Sequence, residues 1–78
     1  MMFNFRALEA MGWFGYAGTR DGDLYRKARL PGIRIAISRT ARLQRKGEYW
    51  RGHQYWHTME EATSQDELMA MAQRAMGK

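Results

Sequence analysis

Residues 24–58 alternate between apolar and polar side chains, and two turn dipeptides, Pro31-Gly32 and Lys46-Gly47, interrupt the alternation. A period of two is typical of a β-strand with one buried face, and a turn dipeptide between two such runs indicates a hairpin. The pattern therefore predicts two hairpins that share a middle strand, with Leu30 opposite Ile33 and with Arg45 opposite Glu48.

These two pairings sort the side chains onto two faces, because cross-strand partners point to the same side of a sheet. The predicted apolar face collects Leu24, Ala28, Leu30, Ile33, Ile35, Ile37, Leu43, Trp50 and Trp56. The predicted opposite face collects Tyr25, Lys27, Arg29, Arg34, Arg42, Tyr49, Arg51, His53, Tyr55 and His57. Arg26, Arg39 and Gln54 fall on the apolar face without a partner, and a one-residue bulge within residues 38–45 would exchange the faces of everything that follows.

A short helix is predicted over residues 1–11. Asn4 has the side chain of an N-cap, and Phe3 and Leu8 have the spacing of a hydrophobic staple around it. Gly12 follows as a natural helix end. Two turns of helix are stable only when packed, so we expect this helix to lie on the apolar face of the sheet.

A second helix is predicted from Gln65 to about Met76. Ser64 and Glu67 have the spacing of a capping box, and Gly77 is suited to end the helix. Residues 58–61 carry the same capping pattern and are the alternative start. The predicted buried stripe of this helix is Leu68, Ala72, Ala75 and Met76, with Met69 and Met71 beside it.

Asp21-Gly22 is a strong hairpin dipeptide, and it would fold residues 13–19 onto residues 24–30 as an extra edge strand. The predicted fold class is α+β: one small domain over residues 1–78 with the order αβββα and a possible extra edge strand. Both helices are expected to pack on one face of the antiparallel sheet, because the pattern provides one apolar face. An open edge leaves either a monomer or a homodimer.

Composition narrows the classes of function. The chain has no cysteine, which excludes disulfides and thiolate metal sites, and it has no apolar run of the length that spans a membrane. No signal peptide is indicated, and the cytoplasm is the expected location. The formal net charge is +5, and residues 20–51 contain ten Lys and Arg against three acids. A partner with negative charge is expected, either nucleic acid or an acidic surface of a nucleoprotein complex, although a solvated basic surface would give the same composition.

The mixture of bases and aromatic rings on the predicted open face is suited to phosphates and unpaired bases. We therefore predict a non-enzymatic nucleic-acid-binding module with no catalytic residue, no cofactor and no metal. The candidate binding residues are Tyr25, Lys27, Arg29, Arg34, Arg42, Tyr49, Arg51, His53 and Tyr55. Ordinary cross-strand packing is the structural alternative for Tyr49, His53 and Tyr55, and a buried core position is expected for both Trp50 and Trp56.

The predicted order of elements resembles that of double-stranded RNA-binding domains and of small RNA-cleaving toxins of the HicA type. The second helix begins with the acidic Gln65-Asp66-Glu67 where those domains are basic, and residues 16–29 lack the histidine that the toxins carry on an early strand. Neither family is therefore assigned.

Two alternative functions remain open. The first is a phage-encoded inhibitor, similar in size and style to anti-CRISPR proteins, that docks on a host nucleoprotein enzyme and blocks its nucleic-acid binding. The second is a small RNA-cleaving toxin in which His53 or His57 acts as the base and Arg42 or Arg51 stabilises the phosphorane charge.

Overall fold

A computed structural model describes residues 3–77. The elements are α1 (Phe5–Ala10), β1 (Trp13–Thr19), β2 (Gly22–Lys27), β3 (Ile33–Ile37), β4 (Ala41–Trp50), β5 (His53–Ala62) and α2 (Gln65–Met76). The strands form one antiparallel sheet in which each strand pairs with the next along the chain. The α+β class and the edge strand over residues 13–19 are confirmed, and the sheet has five strands where the sequence predicted three or four.

The helix boundaries follow the capping signals. The Asn4 side chain accepts a hydrogen bond from the Arg6 backbone N–H at 3.0 Å, so α1 begins where it was predicted to be capped. Met1 and Met2, the predicted first residues of that helix, lie outside the described residues. The second helix has the predicted bounds: Ser64 caps it and Gly77 ends it.

The capping box of α2 is complete. The backbone N–H of Glu67 donates to the Ser64 hydroxyl at 3.2 Å, and the Glu67 carboxylate accepts from the Thr63 backbone N–H at 3.1 Å. Hydrogen bonds from the Thr63 side chain and backbone, and then from Ser64, lower the pKa of the Glu67 carboxyl. Gln65 ties the two helix starts together, because its side-chain oxygen accepts from the Asn4 backbone N–H at 2.7 Å.

One hydrophobic cluster joins both helices to the sheet. Its fully buried members of largest volume are Trp13, Leu8, Ile35, Leu68 and Met71. Leu68 and Ala72 are buried as predicted, whereas Ala75 and Met76 are half-buried at the margin and Met71 takes a central place. The expectation that Trp50 and Trp56 belong to the core is wrong: Trp50 is 59% exposed, and neither is a member of the cluster.

The register between β2 and β3 differs from the predicted one. Residues 28–32 form a five-residue connection with positive φ at Arg29 (71°) and Gly32 (77°), so Pro31-Gly32 is not a two-residue hairpin turn. Tyr25 consequently lies opposite Ile35, where the prediction placed Ala28. A shift of three residues is odd, so it moves each side chain of β2 to the other face of the sheet.

The predicted long middle strand is two strands, β3 and β4, joined by residues 38–40. The second hairpin turns at Arg51-Gly52, with φ of 52° and 75°, and Trp50 lies opposite His53. Positive φ at both central residues is the geometry of a type I′ turn, which matches the twist of paired strands. Gly47 lies inside β4, where a Cβ would overlap the His57 ring, so this glycine serves close packing and not a turn.

Candidate functional site

The sheet face opposite the hydrophobic cluster, here called the front face, is defined by its cross-strand pairs. Leu24, Ala36 and Arg42 form one row across β2, β3 and β4, and Arg34, Gln44 and Thr58 form the next row across β3, β4 and β5. Alternation along the strands adds Phe14 and Arg26 at the β1–β2 end and Lys46 and Trp56 at the β5 end.

Arg34 is held in place by neutral partners. Its Nε donates to Oε1 of Gln44 at 2.8 Å, and its guanidinium carbon lies 4.1 Å from the centroid of the Trp56 ring. The amide nitrogen of Gln44 donates in turn to the Thr58 hydroxyl at 3.2 Å. Gln44 is 6% exposed, so its amide is buried. Its hydrogen bond fixes the orientation of the Arg34 guanidinium without neutralising the positive charge.

Arg42 lies on the same face at the next row. One terminal nitrogen donates to the backbone oxygen of Asp21 at 2.5 Å, which fastens the β1–β2 turn to β4. Its Nε is buried and has no hydrogen-bond partner among the described residues. A buried N–H that lacks an acceptor is destabilising by about 1–3 kcal/mol, so holding Arg42 in this position has a cost in stability.

Arg26 extends the basic surface toward the β1 edge. Its guanidinium carbon lies 5.5 Å from the centroid of the Tyr16 ring, and its cross-strand partner is Phe14. Phe14 and Tyr16 are 49% and 42% exposed, so two aromatic rings of this edge are open to solvent. An exposed ring beside a cation is suited to stacking on an unpaired base.

A concave cavity of about 350 Å³ lies in the front face. It is lined by Asp21, Arg34, Arg42, Gln44 and the β5 residues 53–56. His53 and Tyr55 meet edge to face, with ring centroids 5.0 Å apart. The cavity therefore combines two guanidinium groups with the β5 residues 53–56, of which Trp56 and Gln54 share the front face by alternation while Tyr55 and His53 lie on the face of Arg45.

The nine predicted site residues separate into three groups. Arg34, Arg42, His53 and Tyr55 come together at the cavity, whereas Tyr49 and Arg51 are exposed at the far end of the β4–β5 hairpin and Arg29 lies in the connection before β3. The front-face positions predicted for Tyr25 and Lys27 are wrong. Tyr25 is buried in the core, stacked on Phe5 at 5.6 Å between centroids, and Lys27 lies opposite the buried Trp13.

Sequence reasoning missed eight residues of the front face: Phe14, Tyr16, Leu24, Arg26, Gln44, Lys46, Trp56 and Thr58. A signal for one of them was present, because Arg26 was assigned to the apolar face with no partner for its charge. The bulges between Leu43 and Gln44 and between Lys46 and Tyr49 carry no distinct sequence signal, and they decide where Trp56 lies.

The charges of the front face are largely unneutralised. Within residues 3–77 the ion pair is Arg74 with Glu60, and Nε2 of His57 lies 3.7 Å from the Glu48 carboxylate; neither contact involves a front-face arginine. Glu61 lies opposite Arg42 and contributes one negative charge to this face, with its carboxylate accepting from the Thr40 hydroxyl at 3.5 Å, and Arg26, Arg34, Arg42 and Lys46 outnumber it. Positive charge therefore dominates this surface.

Comparison of the chain with known protein families, with curated proteins and with solved structures found no match. In the part of the chain that the structure describes, no helix has the length and apolar character needed to cross a membrane. Across residues 3–77, no three metal-ligating side chains come together at a point that could hold an ion.

Proposed function

We propose that this protein is a non-enzymatic module that binds single-stranded nucleic acid across its front face. The observation that carries the proposal is Arg34, a cation fixed between a buried amide and the Trp56 ring with Arg42 beside it. A cation held by neutral groups keeps its charge for an external anion, and its side-chain entropy is already lost before binding.

The proposal includes the arrangement of the helices. Both helices cover the core face, which leaves the front face open to a ligand. This arrangement is supported by the hydrophobic cluster, in which Leu8 of α1 and Leu68 of α2 meet Ile35 of the sheet. It is also supported by the Gln65–Asn4 hydrogen bond between the helix starts.

A single strand is favoured over a duplex because aromatic rings accompany the cations. Phe14 and Tyr16, beside Arg26, are each at least two-fifths exposed. Stacking of a base on an aromatic side chain contributes about 1–3 kcal/mol and requires a base that is unpaired. Phosphate contacts from Arg26, Arg34 and Arg42 would set the path of the backbone.

Fluorescence anisotropy with short labelled single- and double-stranded RNA and DNA tests the proposal, at about 50 and about 200 mM salt. We expect tighter binding of single strands than of duplexes and a loss of affinity at the higher salt. The Arg34→Gln, Arg42→Gln double variant should bind at least about tenfold more weakly.

The matched control is the Arg6→Gln, Arg45→Gln double variant, which removes the same charge from two exposed side chains. Arg6 belongs to α1, and Arg45 lies on the core side of β4, next to Gln44. Equal weakening by both double variants would mean that only net charge matters and would contradict a front-face site. Absence of binding to every nucleic acid would overturn the function and would favour an acidic protein surface as the partner.

A specific observation supports RNA cleavage as the second candidate. His53 lines the same cavity as Arg34 and Arg42, so a base and two cations could act on one phosphodiester. The length of the labelled RNA recovered after the titration distinguishes a binding module from an RNA-cleaving enzyme. Intact RNA supports the binding module, whereas cleavage that the His53→Gln variant abolishes would establish the enzyme.

A further inference from the structure

The first strand, β1, is an edge of the sheet, and its outer side is unoccupied. The strand order runs from β1 to β5, so β1 pairs with β2 alone. Six of its seven residues are exposed. Within residues 3–77, no backbone hydrogen bond joins residues 13–18 to an element other than β2. A free strand edge of this kind is a template for a further strand.

The side chains of β1 do not protect this edge. Residues 10–19 contain no charged residue and no proline. The rings of Phe14 and Tyr16 are exposed on the strand. The other edge strand, β5, carries Glu60 and Glu61. Charges and prolines on an edge oppose pairing between sheets, so β5 is protected and β1 is open to a partner strand.

Charge indicates where a second copy of this chain can approach. Two copies of net charge +5 repel each other, and the neutral edge is where that repulsion is smallest. Arg26 lies one strand further in, on β2. If two β1 strands pair, the two β2 strands lie three strand spacings apart, which is about 14 Å. This distance exceeds the Debye length of about 8 Å at physiological salt, so the repulsion across the pair is largely screened.

An antiparallel pair of identical strands has the symmetry that a closed dimer requires. Two β1 strands that run antiparallel are related by a two-fold axis perpendicular to the sheet, and the same patch of each copy forms the contact. The front faces of the two copies then lie on the same side of one continuous sheet. Strand pairing at β1 therefore joins two front faces and leaves both accessible.

The bulge in β1 is compatible with one register of this pairing. The bulge lies between Gly15 and Ala17, and it places Tyr16 and Ala17 in succession on the front side. Opposite residues of a sheet point to the same side. A two-fold axis between Tyr16 and Ala17 satisfies this rule for each pair. The pairs are Phe14 with Thr19, Gly15 with Gly18 and Tyr16 with Ala17 of the second copy.

We infer that β1 binds β1 of a second copy of this chain and forms a two-fold symmetric dimer. The inference goes beyond the proposed function and does not depend on it, because backbone groups in the plane of the sheet make the contact. One pair of short strands gives a small interface, so we expect a dissociation constant between about 10 µM and about 1 mM.

Sedimentation equilibrium of the full chain, without nucleic acid, tests the inference at protein concentrations from about 10 µM to about 1 mM. We expect the mass to rise from that of a monomer to that of a dimer and to stop there, because a two-fold interface closes. Raising the salt from about 150 to about 500 mM should tighten the dimer, because it screens the net charge of the two copies. This is opposite to the effect of salt expected for nucleic-acid binding.

Three variants test the position of the interface. Ala17→Lys places like charges on both sides of the two-fold axis, so it should weaken dimerisation at least about tenfold. Ala17→Gln has a neutral side chain of similar length and should change the dissociation constant by less than about threefold. Met59→Lys is the matched control, because it adds the same charge to an exposed position of the other edge strand. Amide shifts check that each variant is folded.

NMR of the unmodified chain gives a measurement that does not depend on any variant. In a mixture of isotope-labelled and unlabelled chains at about 1 mM, we expect nuclear Overhauser contacts between Tyr16 of one copy and Ala17 of the other. A monomer at every concentration, or species larger than a dimer, would overturn the inference. A dimer without these contacts, or one that Ala17→Lys and Met59→Lys weaken equally, would also overturn it. Dimerisation through β1 supports the inference whether or not the front face binds nucleic acid.

Discussion

At the scale of single residues, Gln44 shows how a polar side chain can be buried at low cost. Removing an unpaired amide from water is unfavourable by about 1–3 kcal/mol, but Gln44 exchanges its water contacts for Arg34 and Thr58. The guanidinium of Arg34 also lies over the Trp56 ring, an arrangement that is more favourable when both groups are partly desolvated. The cation is therefore fixed by partners that leave its charge available.

Tyr25 allows a prediction about ionisation. Burial, then the nearby charges of Asp23 and Glu9, raise the pKa of the Tyr25 hydroxyl above its ordinary value of 10.0. A raised folded-state pKa means that this group's stabilising contribution is complete below the unfolded pKa and is lost as the pH rises through the folded one. Tyr25 should therefore ionise at a pH above the ordinary tyrosine value, as followed by tyrosinate absorbance.

The Tyr25→Phe variant identifies the signal. Phenylalanine keeps the stacking on Phe5 and removes the hydroxyl, so an absorbance component that titrates above the ordinary tyrosine pKa should disappear. Loss of a component that titrates early, with the fold intact, would contradict a buried Tyr25.

At the scale of elements, sequence signals that act over a few residues, such as helix caps and turn dipeptides, were sufficient to predict the helices and the first strand. The sequence was not sufficient to predict how the strands pair. The cap at Ser64 and the end at Gly77 fix α2, because each is a hydrogen-bonding pattern within one turn. The strand over residues 13–19 also followed from its turn dipeptide. Strand register, by contrast, depends on loop length and bulges, and an odd error reverses both faces of a strand.

Three residues that lay on the apolar face without a partner in the predicted register, Arg26, Arg39 and Gln54, indicated that the register was wrong. Arg26 belongs on the front face, Arg39 lies in the β3–β4 connection, and the Gln54 amide fills a bulge by donating to the Gly47 carbonyl at 2.9 Å. The free-energy cost of burying a charge without a partner is larger than the cost of a change in strand register. Four of the residues that line the cavity, Arg34, Arg42, His53 and Tyr55, were nevertheless among the predicted site residues. Gln44 and Trp56 could be assigned to it only with the correct strand pairing.

The turn glycines give a prediction that separates strain from collision. Gly22 has φ of 111°, and a Cβ there would overlap the carbonyl oxygen of Ile37, the last residue of β3 before the β3–β4 connection. Gly52 has φ of 75° with open space around it. Gly22→Ala should lower the free energy of unfolding by about 2–4 kcal/mol, and Gly52→Ala by about 1 kcal/mol.

Urea unfolding followed by tryptophan fluorescence measures the free energy of unfolding of both glycine variants. Each variant replaces a glycine with positive φ. The difference between their free energies of unfolding therefore reports the contact with Ile37. Equal losses of stability would show that β2 and the β3–β4 connection do not approach as closely as described.

At the scale of the whole molecule, charge is distributed unevenly between the two sides of the sheet. Residues 60–67 carry four acids and no base, and two of these acids are already engaged, Glu60 with Arg74 and Glu67 at the α2 cap. Arg26, Arg34 and Arg42 make no ion pair within residues 3–77. These three arginines therefore keep their positive charge available to a polyanion that approaches the front face.

This asymmetry predicts the salt dependence of binding. Binding of a single strand that neutralises three or four phosphates should show a log–log slope of affinity against salt of about −2 to −3. Removal of one front-face cation in the Arg26→Gln variant should make the slope shallower by about 0.7, because one fewer counterion set is released. The measurement is anisotropy across a salt series, and Arg6→Gln, which removes the same charge from exposed helix α1, should leave the slope unchanged. A slope that both variants reduce equally would mean that the strand contacts the protein without regard to its faces, whereas a reduction confined to Arg26→Gln would extend the contact path from the cavity to the β1 edge.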